Sequence, residues 1–330
     1  MKKSYYILIA IIILIIILLG FFLYKPAKVE NPKLKLAINT WVGYGPLYVA
    51  EEKGFFKNES LDVEISVIED VSAKKSALKA GSLDSIGDLV DTLVLERDEN
   101  VPAVAVMQFD VSDGADGIVT TNKINSVKDL KGKSIAVQKN FVGESFLLYV
   151  LKKNNMSEKD VKMIDMESGS AGAAFVAGKV DSAVTWEPWL SKAKERSDGK
   201  VLLTSKDEPG VIVDIFSVNE NTLNTKSQDV KKFMRAWFRA LDYIKSNPDE
   251  SYAIMAKHYD MSAQDFQDMV SSLKWPDYNE NLNYFNVEKN NNIYDVADTF
   301  SGLFLDSGKI KQPFKKDIAI NNSLLKDLYN

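Results

Sequence analysis

The strongest constraint on this chain is that part of its text occurs twice. Ala77-Leu78-Lys79-Ala80-Gly81-Ser82-Leu83-Asp84-Ser85-Ile86 is echoed by Ala174-Phe175-Val176-Ala177-Gly178-Lys179-Val180-Asp181-Ser182-Ala183. In both copies a helical stretch stops at a glycine and a short apolar run follows. At nearly the same offset, Leu36-Ala37-Ile38 is matched by Ile135-Ala136-Val137, and the Tyr44-Gly45 turn by Gly143-Glu144. The spacing implies two similar α/β halves, each with a βαβ rhythm and a mainly parallel sheet flanked by helices.

A chain of 330 residues suits two such lobes. From Asp229 onward the pattern becomes helical, with Phe233, Ala236, Trp237, Ala240 and Ile244 on one face, and this tail is expected to buttress the first lobe. The segments read as lobe 1 over residues 33 to 119, lobe 2 over 120 to 216, and a return to lobe 1 over 217 to 330.

The N-terminus bears on location. Lys2 and Lys3 precede an uncharged, Ile- and Leu-rich run over residues 4 to 24, about the roughly 20 residues needed to span hydrocarbon. A cleaved signal peptide is the rival reading. Its apolar region usually ends in small residues, whereas Phe21, Phe22, Leu23, Tyr24 and Lys25 follow here. The expectation is an uncleaved transmembrane anchor over residues 1 to 25, lysines inside, a polar tether over 26 to 32, and an extracytoplasmic globular part. With no cysteine, a lipid anchor through that residue is excluded.

Composition removes several function classes. No cysteine and one histidine leave no disulfide, thiolate nucleophile or zinc cluster, and any Ser-His-Asp triad would need His258, which sits in a helical region far from the expected cleft. A net charge of −5 with interspersed signs offers no basic stripe for nucleic acid. No glycine fingerprint for a nucleotide follows a strand, so no cofactor is expected.

In open parallel sheets, ligands bind beyond the carboxyl ends of the strands. At those positions stand Trp41, Tyr44 and Gly45 after the first strand, then Asp88 and Asp91. The run Asp110-Val111-Ser112-Asp113-Gly114-Ala115-Asp116-Gly117 follows the next strand. Its acids are spaced by three, not the two of a calcium loop, and Thr121 stands where that loop needs Glu. In the second half, Gly143, Glu144 and Ser145 open a helix whose free N–H groups can hold an anionic oxygen, and Trp186 and Glu187 follow a strand. Asp214 lies where the chain returns to lobe 1. Carboxylates converging on a dry pocket repel unless something positive lies between them, which an amine-bearing ligand supplies.

The segment Thr40-Trp41-Val42-Gly43-Tyr44-Gly45-Pro46-Leu47-Tyr48-Val49-Ala50, continuing to Lys53-Gly54-Phe55-Phe56, resembles the opening of substrate-binding proteins of nitrate, sulfonate and taurine ABC importers. The resemblance extends through Ala80-Gly81-Ser82-Leu83-Asp84, Asp113-Gly114-Ala115-Asp116-Gly117-Ile118, Val127-Lys128-Asp129-Leu130-Lys131-Gly132-Lys133 and Trp186-Glu187-Pro188-Trp189. It implies a type II periplasmic-binding-protein fold whose lobes are joined by strands crossing near residues 119 to 121 and 215 to 218. It also implies a hinge-closing monomeric receptor, without catalysis, that delivers solute to a permease and ATPase. Asp214 resembles the acid that meets the amine of taurine. Only Lys139 is basic in these loops, which favours an amine-bearing or zwitterionic solute over a bare anion. A related branch binds aminopyrimidine thiamine precursors, and a ligand sensor would use the same cleft. An enzyme of this fold would need a proton-transferring pair such as Asp113 and Glu187.

Overall fold

Alternation in Lys33-Leu34-Lys35-Leu36 puts the leucines on one face, and the segment forms strand β1 (Lys33–Ile38) with both leucines buried. This opens a computed structural model that describes residues 33 to 329. The expected anchor and tether over residues 1 to 32 lie outside them. Among the described residues no helix is long and apolar enough to cross a membrane.

β1 pairs in parallel with β2 (Asp62–Val67) and β3 (Ser85–Leu89). Parallel neighbours need crossover connections, supplied by helices α1 (Gly45–Glu52) and α2 (Val71–Lys79), and α3 (Val90–Asp98) leads on to β4 (Ala103–Ser112). The chain then leaves for a second sheet built from β5 (Asp116–Thr121), β6 (Ser134–Val137), β7 (Lys162–Asp165), β8 (Ser182–Trp186) and β9 (Gly199–Thr204). Helices α4 (Val142–Lys153), α5 (Ser168–Val176) and α6 (Trp189–Glu195) accompany it. β10 (Val213–Asn219) returns to the first sheet, which β11 (Leu273–Lys274) completes.

The orders are β11-β4-β10-β3-β1-β2 and β7-β6-β8-β5-β9. Laid side by side, β2-β1-β3-β10-β4 and β7-β6-β8-β5-β9 are the same arrangement, and the duplicated text falls on α2–β3 and α5–β8. Gly81 and Gly178, both at φ +71°, make the same left-handed stop before their strands.

Each sheet is mainly parallel in strand direction, with one long reversed strand: β10 runs antiparallel to β3 and β4, and β5 antiparallel to β8 and β9. A strand entering from the other lobe starts at the end where the parallel strands finish, so it must run against them. The expected lobe boundaries at 119/120 and 216/217 are corrected. Residues 119 to 121 and 215 to 218 sit inside β5 and β10, and the crossings fall at 113 to 115 and 205 to 212. Asp113-Gly114 and Pro209-Gly210 are turn formers, whereas Val119-Thr120-Thr121 is β-prone and stays in its ladder. The two crossings are tied together, with Ser112 Oγ 2.7 Å from Ser205 Oγ and the Gly114 N–H donating to Ser205 Oγ at 2.8 Å.

The tail packs on lobe 1. In helix α7 (Ser227–Ser246), Phe233 stacks on Phe216 of β10 at 4.3 Å and Trp237 meets Phe109 of β4 at 4.6 Å. Burying each such ring contributes roughly 1.5–3 kcal/mol, and this core holds rigid the strands that end at the cleft.

Candidate ligand-binding site between the lobes

The strand ends of both sheets meet around a cavity of about 20 Å³. Lobe 1 lines it with Asn39, Trp41, Leu89 and Asp214, and lobe 2 with Asp116, Phe141, Val142 and Trp186, while Ile212 comes from a crossing segment. That volume holds about one water molecule. Trp41 of lobe 1 meets Trp186 of lobe 2 edge to face at 6.5 Å, which joins the two walls.

Acid dominates the polar part. The Trp41 Nε1–H donates to both oxygens of Asp110 at 3.1 and 3.2 Å, and the Tyr44 hydroxyl donates to Asp214 Oδ1 at 2.7 Å. Tyr44 fits there because β3 carries Gly87, where a Cβ would lie 2.7 Å from the tyrosine ring. Burial pushes Asp110 up to about 8, aided by the charge of Asp116 and opposed by the Trp41 N–H. Burial likewise raises Asp116 to about 7 and Asp214 well above the usual carboxylate range, the latter aided by Asp110. These acids hold protons readily because nothing positive lines the cavity to balance them.

A deeper layer carries the countercharge. Asp88 accepts from the Ser217 hydroxyl at 3.0 Å and the Leu89 N–H at 2.8 Å, and is raised by burial while Lys74 opposes the rise. Buried Lys74 donates to the Gly87 carbonyl at 2.7 Å. Burial and the charge of Asp88 push Glu96 well up. Asp91 is raised by burial to about 6, and the Ser145 hydroxyl opposes that rise.

Several expected site residues are committed elsewhere. A Cβ on Gly45 would meet Met255 Sδ at 2.7 Å, and one on Gly143 would meet Val137, Ser168 and Val184, so neither glycine borders the cavity. Glu144 accepts from Lys309 Nζ at 2.8 Å and from the Asn140 N–H at 2.7 Å, so it is neutralised and not available to solute. Asp113 pairs with Lys274 at 3.0 Å, and Glu187 accepts from the Ser191 N–H and hydroxyl at 3.1 and 3.0 Å. The pair considered for proton transfer is thereby spent on structure. Asp88, Asp91 and Ser145 form the second layer.

Lys74, Glu96, Asn39 and Phe141 are not among the residues the sequence singles out, whereas Asp116 lies in the acidic run expected at the cleft. Phe141 had a usable signal, since it follows β6 as Trp41 follows β1.

A wider groove of about 770 Å³ opens elsewhere between the lobes. Its acids are occupied: Asp70 accepts from the Ala73 N–H and Glu167 from the Gly169 and Ser170 N–H groups as helix caps, Asp165 accepts from the Lys139 N–H, Glu69 from the Thr40 N–H, and Glu99 pairs with Lys75. With these groups occupied, the groove is a weaker candidate than the acid-lined cavity.

Two mixed sheets of matching order, joined by paired crossings and closing strand ends on a cavity, define the type II periplasmic-binding-protein fold. The alkanesulfonate-binding protein SsuA from Xanthomonas axonopodis pv. citri, bound to MOPS, shares it at TM-score 0.71 and 18% identity over 89% of this chain and 100% of its own. The chain belongs to the NMT1/THI5-like family, whose model matches residues 41 to 251. Among its relatives is a protein of Brucella abortus named as a candidate binding protein, 24% identical over 296 residues, 88% of this chain and 91% of that one. Another is a Bacillus subtilis protein named as a candidate aliphatic sulfonates-binding protein, 27% identical over 245 residues, 68% of this chain and 70% of that one.

Proposed function

We propose that this chain is the extracytoplasmic solute-binding component of an ABC importer, closing on a small amine-bearing or zwitterionic solute and delivering it unchanged to a permease and ATPase. The observation that carries the amine is the buried set Asp110, Asp116 and Asp214 at a cavity with no basic lining residue. A bare anion there would meet repulsion, whereas an ammonium relieves it. The relatives named as binding proteins and the hinge-like paired crossings support the receptor role. The N-terminus of α4, beside Phe141 and Val142 with no side-chain cap, suits the anionic end of a zwitterion such as taurine. The apolar run over residues 4 to 24 supports a membrane anchor. An aminopyrimidine is the second reading, favoured by aromatic rings beside carboxylates.

Thermal unfolding with taurine, ethylamine, ethanesulfonate and nitrate tests the amine. Taurine and ethylamine are expected to raise the midpoint, since a ligand at 100 times its Kd adds about 2.7 kcal/mol. Stabilisation by nitrate or ethanesulfonate, with none by the amines, would refute the reading.

A further inference from the structure

Three rings wall the cavity in different directions. Trp186 meets Trp41 at an interplanar angle of 63° and Phe141 at 79°, with centroids 6.5 and 6.3 Å apart. Trp41 and Phe141 follow the equivalent strands β1 and β6, so the matched halves bring one ring each, and β8 ends on the third. The Trp41 ring is fixed by its bonds to Asp110, and its loop by the Tyr259 hydroxyl donating to the Trp41 carbonyl at 2.8 Å and Trp275 Nε1 donating to the Gly43 carbonyl at 2.7 Å. The Trp41 ring is therefore preorganised.

The acceptors, by contrast, are few and partly engaged. Both Asp110 oxygens face the Trp41 N–H, and Asp214 Oδ1 takes the Tyr44 hydroxyl. A primary ammonium brings three N–H donors, each of which needs an acceptor in a dry site. Six of the nine lining residues are Trp41, Leu89, Phe141, Val142, Trp186 and Ile212, none of which offers a side-chain acceptor.

A nitrogen carrying alkyl groups reverses these demands. It has few or no N–H donors to satisfy, and its charge is spread over C–H groups that lie against ring faces. Each ring contributes about 0.5–2 kcal/mol, more as the site is drier. Carboxylates one layer back still attract it through space, without direct hydrogen bonds.

We propose, resting on the amine reading above, that the solute's cationic end is an alkyl-substituted ammonium boxed by Trp41, Phe141 and Trp186, with Asp116 and Asp214 as its countercharges. The class covers methylated amines and betaine-like zwitterions.

Calorimetry on the full-length chain in non-ionic detergent, with probes differing only in methylation, tests this: choline against ethanolamine, and N,N,N-trimethyltaurine against taurine. The methylated member of each pair is expected to bind at least about tenfold tighter, equivalent to 1.4 kcal/mol. Trp186→Leu keeps apolar bulk but removes a ring, and should erase most of that preference by weakening choline more than ethanolamine. Trp41→Phe, which keeps a ring, should retain the preference. Unfolding midpoints of both variants establish that they fold. Equal or tighter binding of ethanolamine and taurine would overturn the alkylated class and leave the amine reading standing. Binding of ethanesulfonate without any cationic probe would overturn both.

Discussion

The two lobes share one strand order yet present different walls. Lobe 1 brings the carboxylates of Asp88, Asp110 and Asp214, each braced by a donor, over a core closed by α7. Lobe 2 brings two rings, an uncapped helix N-terminus and the single carboxylate of Asp116. The equivalent position in β3 and β8 shows how the difference arises. Gly87 leaves room for the Tyr44 ring that holds Asp214, while Val184 fills the same place in lobe 2. A duplicated frame thus supports unequal tasks. The braced wall holds its carboxyl groups in place, and under the proposed function the other wall closes over them, which would limit the ordering cost of binding.

The largest effect is expected on removing charge from the braced wall. Asp214→Asn can still accept the Tyr44 hydroxyl but no longer offers a countercharge. It should weaken cation binding by about 30-fold or more, or roughly 2 kcal/mol and upward, with the unfolding midpoint preserved. An affinity within twofold of the parent would remove Asp214 from the wall. Gly87→Val makes lobe 1 match lobe 2 at that position and forces Tyr44 out of its slot. Denaturant titration should show a loss of about 1–3 kcal/mol, accompanied by weaker binding. A fully stable variant would mean that the two walls are interchangeable there.

A smaller effect concerns pH. Asp91, Asp110 and Asp116, held near 6, 8 and 7, bind protons more tightly in the fold than at their ordinary value of 3.8. Their contribution to stability is full below pH 4 and is lost as pH rises through 6 to 8, by at most about 1.4 kcal/mol per pH unit for each group still protonated in the fold. The ligand-free protein should therefore melt at a lower temperature at pH 8 than at pH 5.5. A midpoint that rises over this range would contradict buried, unbalanced acids.

The frame was legible because its signals are local. Gly81 and Gly178 stop helices, apolar runs follow, and the strand ends bearing Trp41, Trp186 and Asp214 can be counted along the chain. The allocation of charge was not, because it depends on tertiary partners. Lys74 stands beside Lys75 and reads as another exposed helix lysine until β3 covers it. Glu144 reads as a free acid at a helix start, but Lys309, 165 residues away, neutralises it. The crossings lie earlier than the resemblance implies, at the turn formers Asp113-Gly114 and Pro209-Gly210.

Proton release on binding tests the acid-walled cavity most directly. A cation entering beside Asp110 and Asp116, which are partly protonated at pH 7, lowers their proton affinity. Calorimetric titration at pH 7 in phosphate and in Tris, whose ionisation heats differ, counts protons exchanged with the buffer. The account predicts net release of up to about one proton per ligand bound. Net uptake, as an anion would cause, or no exchange at all would contradict it.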